Sequence, residues 1–310
     1  MKESIKVFAS ATVANVTCGF DVLGFAVSSP GDELVLKPND LGKVRIVEIK
    51  GDGGKLPKDP NMNTASVAIN KYLEHLNSDQ GFDIYLEKKM PLGSGLGSSA
   101  ASAVAGVFAA NELLGTPLDS TELLSFAMEG ERQACGAAHA DNVGPALYGG
   151  MVLVRSYSPI DVVRIPVPKP LYVSLVHPQI SIATKDARDI LKKQILMRDA
   201  VQQWGNIAGL VVGMMQGDFD LVGRSMQDVI VEPIRSILIP GFDAVKSAAL
   251  ESGAIGCGIS GSGPSIFALS AEMSTAEEVG ARMSAAFKQI NIESEVYISG
   301  INIEGPKILD

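Results

Sequence analysis

The residues best suited to chemistry in this 310-residue chain lie in one string, Pro91-Leu92-Gly93-Ser94-Gly95-Leu96-Gly97-Ser98-Ser99-Ala100-Ala101-Ser102. Its closely spaced glycines let the backbone take positive φ and come near a ligand. Two serines then open an apolar run, Ala100 to Leu114, which predicts a helix stopped by Gly115 and Pro117. A loop of free N–H groups feeding a helix N-terminus binds anions, because the orphan donors and the helix dipole both favour negative charge. Phosphate is the obvious anion. The string is not a Walker loop, since no Lys precedes the serines, and it is not a dinucleotide fingerprint, since Ser98 stands where the last glycine belongs. The plain structural alternative is a glycine-rich turn before a small-residue core helix.

A second cluster is a useful control. Gly256-Cys257-Gly258-Ile259-Ser260-Gly261 matches G-x-G-x-x-G in full. Yet a helix-like segment precedes it and a strand-like one, Ser265-Ile266-Phe267-Ala268-Leu269, follows it. The strand–loop–helix order of a dinucleotide site is missing.

The longer strings carry a resemblance. Pro91 to Ala100 resembles the ATP loop of the GHMP kinases, P-x-G-x-G-L-G-S-S-A, and Gly258 to Ser265 resembles the C-terminal glycine motif that closes over the site in that family. The resemblance covers nearly the whole chain. It implies an ATP-dependent small-molecule kinase with magnesium. Gly93, Ser94, Gly95, Leu96, Gly97, Ser98 and Ser99, with Pro91 ahead of them, would hold the phosphates, and Asn63 would lie near the adenine, though helix capping explains Asn63 as well. Ser99 and a helix Glu would hold the metal. That Glu falls on Glu131, with Glu129 as a rival on another face.

The acceptor motifs are similar to those of the homoserine kinase branch of this family. Ala11-Thr12-Val13-Ala14-Asn15 through Gly19-Phe20-Asp21 and the segment His139-Ala140-Asp141-Asn142 carry that likeness. It implies Asn15, Asp21, His139, Asn142, Arg188, Arg235 and Gly261 as contacts to L-homoserine, with Thr184, Asn142 and Glu131 at the reacting groups. Guanidinium suits the carboxylate of an amino acid, and Asp21 with Asn15 suits its ammonium. Asn142 stands at or near the position of a catalytic Asp in the mevalonate and galactose branches. Asn cannot act as a base, so catalysis would rest on positioning and charge. Two alternatives stay open: a mevalonate- or sugar-type kinase using Asp141 as a base, and a metabolite-binding protein that keeps ATP without turnover.

Composition narrows the setting. The chain is 46% hydrophobic and 20% charged, as in soluble globular proteins. A net charge of −9 argues against a broad nucleic-acid surface. Three cysteines far apart without metal spacing read as reduced thiols. No signal-peptide core and no membrane-length apolar run occur, so a cytoplasmic protein is expected, with no membrane partner. A homodimer is what the resemblance implies.

The elements that must position these residues follow from periodicity. Strands are predicted near 5–9, 32–37, 43–49, 82–88, 150–154, 171–176, 265–269 and 294–298. Helices are predicted after Asn63-Thr64 and over about 100–114, 120–135, 195–214, 217–229, 240–251 and 275–289. Residues 10–24 read as a loop, and Ser156 to Pro159 as a domain joint. The fold class expected is α+β in two domains: residues 1–157 as a ribosomal-protein-S5-like domain bearing the ATP loop, and residues 158–310 as a ferredoxin-like domain.

Overall fold

The computed structural model describes residues 3–115 and 117–309. In the first half, β1 (Ile5–Ala14), β2 (Leu23–Asn39) and β3 (Val44–Lys50) precede α1 (Thr64–Leu76), β4 (Gly81–Glu87), α2 (Ser98–Leu113), α3 (Ser120–Cys135) and α4 (Ala140–Tyr148). The hairpin β5 (Met151–Tyr157) and β6 (Ile160–Ile165) follows. The second half runs β7 (Tyr172–Pro178), α5 (Thr184–Asp189), α6 (Met197–Gln216), α7 (Phe219–Ser225), α8 (Glu232–Arg235), α9 (Phe242–Glu251), β8 (Gly256–Ile259), β9 (Ile266–Ser270), α10 (Met273–Gln289), β10 (Ser294–Gly300) and β11 (Lys307–Leu309).

The first sheet has the order β11-β1-β2-β4-β3, with β5 on β2 and β6 on β5. All its pairs are antiparallel except β3 with β4. The strand β1 extends five residues beyond the alternating stretch, because its tail Ala9 to Ala14 is buried on both faces and shows no polar–apolar alternation. The segment read as a loop therefore begins only at Asn15. The turn Ser158-Pro159 links β5 to β6, so the first sheet continues to Ile165, and β11 returns the chain's end to β1. By sheet membership the change of half falls between Ile165 and Tyr172.

The second sheet has the order β10-β7-β9-β8, all antiparallel. Numbered within the half, that is 4-1-3-2, the ferredoxin-like arrangement. One face packs α9 and α10 through Phe242, Val245, Val279, Met283 and Phe287. The other face joins the main core, where Phe25 and Phe267 meet edge to face at 5.9 Å. The helix α2 is buried nearly all round by small side chains, which brings it close to α1: a Cβ at Gly106 would lie 3.0 Å from the Ala65 carbonyl oxygen.

Candidate functional site

The first glycine loop is held open by its backbone. Gly93, Gly95 and Gly97 have φ of +68°, +77° and +70°. Gly97 caps α2 and, having no side chain, supplies no cap hydrogen bond of its own to the helix N-terminus, the end of a helix that favours an anion. A Cβ at Gly97 would stand 2.0 Å from Thr12 Oγ1 and 2.9 Å from Asn142 Oδ1, so only glycine fits. Beneath the loop, Lys88 forms a buried ion pair with Asp32. Lys88 Nζ donates to the Ser98 carbonyl at 2.8 Å and to Ser102 Oγ at 2.7 Å. Asp32 accepts from Ser98 Oγ and from the backbone N–H groups of Lys89 and Met90. These bonds staple β2, the end of β4 and the first turn of α2 together.

The second glycine loop lies against the first. Ser260 Oγ donates to the Gly95 carbonyl at 2.8 Å, and Ser265 N–H to the Ser94 carbonyl at 3.2 Å. The Gly261 carbonyl accepts from Asn15 Nδ2 at 2.7 Å and from Arg235 at 3.1 Å. His177 on β7 braces this loop through Ser265 Oγ at 3.1 Å, and burial pulls its pKa down.

Between the loops and the turn after β1 opens a cleft of about 450 Å³. Every residue singled out from the sequence lines it except Pro91, which stands at the start of the loop without reaching the cavity, and Glu129. Asn63 lines it and also caps α1, accepting from Ala65 N–H and donating to the Pro57 carbonyl. Glu131, on the last turns of α3, is 3% exposed, and its Oε2 has no hydrogen-bond partner. Glu129 instead faces solvent and pairs with Arg132 at 3.4 Å, which separates the two rivals. His139 Nδ1 lies 3.4 Å from Glu131 Oε1. Burial opposes charge on that imidazole, but the bond and charge of Glu131, helped by Asp141, outweigh it and raise the pKa. Asn142 Oδ1 accepts from Thr12 Oγ1 at 2.8 Å. Thr184 Oγ1 lies 3.3 Å from Ser262 Oγ.

The charged side chains on the acceptor side are arranged differently from the expectation. Asp21 and Arg188, expected to meet opposite ends of an amino acid, face each other in a bidentate pair, with NH1 at 3.0 Å and NH2 at 2.8 Å from the two carboxylate oxygens. Arg235 is 4% exposed; it donates only to the backbone carbonyls of Ala187 and Gly261 and lies over the Phe20 ring at 4.9 Å. Among the described residues no carboxylate comes within ion-pair distance of it. Burial, then the charge of Arg188, lowers its pKa to about 10. Asp141, in the first turn of α4, is buried, and its Oδ1 has no partner. Burial first and the charge of Asp21 second raise its pKa to about 7. The cleft thus keeps one guanidinium and one carboxyl group that are not neutralised by protein.

The roles of Lys88, Asp32 and Phe20 are not among the sequence expectations, where Asp141 stands only as a rival base. For Lys88 a signal existed: a lysine at the end of an alternating strand, three residues before the glycine loop. The other three depend on contacts far apart in the chain.

Comparison with known proteins agrees with this geometry. Residues 63–150 match the GHMP kinases N terminal domain and residues 210–289 the GHMP kinases C terminal domain. The homoserine kinase of Chlorobium phaeobacteroides is 50% identical over 319 residues, 99% of this chain and 100% of that protein. The homoserine kinase of Chlorobaculum tepidum is 50% identical over 97% of each. The crystal structure of homoserine kinase from Cytophaga hutchinsonii superposes with a TM-score of 0.98 at 62% identity, covering 100% of this chain and 98% of that one. The chain belongs to the homoserine kinases of the GHMP kinase family, ATP-dependent kinases of small molecules.

Proposed function

We propose that the chain transfers the γ-phosphoryl group of ATP to the side-chain hydroxyl of L-homoserine, giving ADP and O-phospho-L-homoserine on the way to threonine, with magnesium as its metal and the cytoplasm as its place. The observation that carries the acceptor assignment is the charge left over in the cleft: buried Arg235 without a carboxylate and buried Asp141 with an unbonded oxygen. An amino acid brings the matching pair, carboxylate to Arg235 and ammonium to Asp141, with the Asp21–Arg188 pair alongside. Mevalonate offers a carboxylate but no ammonium, and galactose offers neither.

In this reading the loop from Gly93 to Ser99 holds the triphosphate through backbone N–H groups. Glu131 and Ser99 would hold the metal. The orphaned, buried Oε2 of Glu131 fits that task, and a single carboxylate with a hydroxyl suits an ion that takes its remaining ligands from phosphate and water. A magnesium ion held there would supply positive charge to offset the negative charge of the phosphates. Asn142 orients the acceptor hydroxyl, its own Oδ1 fixed by Thr12. Thr184, at the N-terminus of α5, faces the transferring group from the other half. The bond from the bridging oxygen to Pγ breaks as the homoserine oxygen bonds to Pγ, and the hydroxyl proton leaves to the phosphoryl group itself.

A second reading gives that proton to Asp141, whose pKa of about 7 suits a base. Asp141→Asn separates the two: loss of the ammonium contact raises KM for homoserine, whereas loss of a base collapses kcat at unchanged KM. The acceptor itself is tested by ADP release with Mg-ATP and L-homoserine, L-threonine, L-serine, mevalonate or galactose. Turnover with homoserine alone is the expected result. Turnover with mevalonate or galactose instead would overturn the charge-matching argument.

A further inference from the structure

We propose that Gln203 is a positioning residue for the acceptor's carboxylate: its amide locks the helix that carries Arg235 to the turn that carries Phe20 and Asp21. This rests on the reading of Arg235 as the carboxylate anchor. The Arg235 guanidinium does not set its own place. It donates to the carbonyls of Ala187 and Gly261 and lies on the Phe20 ring. Where it stands depends on α8, which bears it, and on the turn after β1, which bears Phe20. A guanidinium–carboxylate pair is directional, so a small displacement of Arg235 is felt in acceptor binding.

Neither element holds itself in place. The helix α8 has four residues, Pro233 among them, and its N-cap Val231 makes no side-chain cap bond. A helix this short does not form unaided. Asp228 supplies what is missing: its Oδ1 accepts from the N–H groups of Ile230 and Val231, each at 2.9 Å, and its Oδ2 from that of Glu232 at 2.9 Å. The turn after β1 is left-handed at Asn15, Val16, Thr17 and Asp21, and backbone of that kind persists only where its surroundings impose it.

Gln203 reaches both. From α6, its Nε2 donates to the Cys18 carbonyl at 2.8 Å and to Asp228 Oδ1 at 3.0 Å, and its Oε1 accepts from the Val229 N–H at 3.1 Å. It is 6% exposed, and both amide hydrogens are engaged. Two residues on from Cys18, the Phe20 ring lies 4.9 Å from the Arg235 guanidinium and 5.4 Å from that of Arg188. One buried amide therefore fixes the helix of the guanidinium and the ring beneath it. The junction has little slack: a Cβ at Gly258 would stand 2.5 Å from Thr17 Cγ2 and 3.1 Å from Glu232 Oε2, and Glu232 is tied from behind by Lys246 of α9.

The test uses the full chain with Mg-ATP and L-homoserine. Gln203→Met keeps the length of the side chain and removes its hydrogen bonds. It is expected to raise KM for homoserine about tenfold, with kcat and KM for ATP within about twofold. The rise in melting temperature given by homoserine should shrink, while that given by Mg-ATP should stay. In an Arg235→Leu background the same substitution should add less than about twofold to KM for homoserine, because its effect passes through Arg235. Gln203→Asn, one methylene too short to span Cys18 and Asp228, should repeat the pattern, and it carries the test if Gln203→Met does not fold. Equal changes in both KM values, no change in either, or a full additive effect in the Arg235→Leu background would each overturn the proposal. Failure of the wild-type chain to turn over homoserine is a different result: it would overturn the acceptor reading, and the proposal with it.

Discussion

A guanidinium removed from water without an anion is costly, and the cost is recovered when an anion arrives. Arg235 is in that position, held by two backbone carbonyls and the Phe20 ring and lacking a carboxylate. Arg235→Leu is expected to raise KM for homoserine by 10²-fold or more, the scale of about 3 kcal/mol lost from a buried charge pair, and to leave KM for ATP within a few-fold. Steady-state kinetics with each substrate varied in turn decide this; equal effects on both would remove the carboxylate role. Asp141 gives the complementary pH test. Burial pushes its carboxyl up to about 7 in the folded chain, against 3.8 ordinarily. An ammonium ligand favours the ionised form, so homoserine binding below pH 7 must expel a proton. Affinity should rise about tenfold per pH unit up to pH 7 and then level. Calorimetry in buffers of different ionisation enthalpy at pH 6 should show that release, and Asp141→Asn should abolish it. Because the folded pKa is raised, the same carboxyl lowers stability as pH climbs from about 4 through 7, a loss the Asn variant should not have. The residue types at this site were legible from the sequence, but their partners were not. Asp21 and Arg188 are 167 positions apart, and nothing local tells that they neutralise each other and leave Arg235 and Asp141 unmatched.

At the scale of elements, the strongly periodic segments are legible in the sequence and the others are not, for identifiable reasons. The helices α1, α2, α3, α6, α9 and α10 lie close to where their apolar spacing puts them. The helix α4 was missed because Gly144 and Pro145 interrupt it, yet its first turn carries Asp141 and Asn142. The strand β8 lies inside the second glycine cluster, where composition suggests only loop. A glycine loop can approach phosphate only if its ends are fixed, and here the fixing is done by the Lys88–Asp32 pair at the junction of β2, β4 and α2. Lys88→Met leaves the Asp32 carboxylate buried and uncompensated. It should cost about 3–5 kcal/mol and lower the melting temperature by roughly 10 °C, with KM for ATP raised in whatever folds. Adding Asp32→Asn should recover most of the melting temperature, since both charges are then gone. If Lys88→Met melts like the wild type, the pair does not anchor the loop.

For the whole molecule, a decisive feature is that the two halves close on one another at the site, beside the buried contacts of Gln203 with the Cys18 carbonyl and of Asn302 with Ser10 Oγ. Gly261 is the meeting point. Its N–H donates to the Ala14 carbonyl of the first half, and its carbonyl accepts from Asn15 of the first half and Arg235 of the second. Asn15 therefore ties the second glycine loop to the turn after β1. Its Nδ2 holds the second glycine loop, which in turn lies on Ser94 and Gly95, and its Oδ1 accepts from the Asp21 N–H, which fixes the turn after β1. The backbone there is left-handed at Asn15, Val16 and Thr17, with φ of +71°, +42° and +61°, a conformation that L-residues other than asparagine, aspartate and glycine adopt only when their surroundings impose it. Asn15→Ala should remove that imposition and leave a buried carbonyl and N–H short of partners, at about 1–3 kcal/mol each. The expected signature differs from that of Arg235→Leu: KM for ATP and for homoserine should rise together, and the melting temperature should fall with them. An effect confined to homoserine would make Asn15 a substrate contact rather than the clasp between the halves. An effect on neither would mean that the core contacts, Phe25 with Phe267 among them, close the cleft without it.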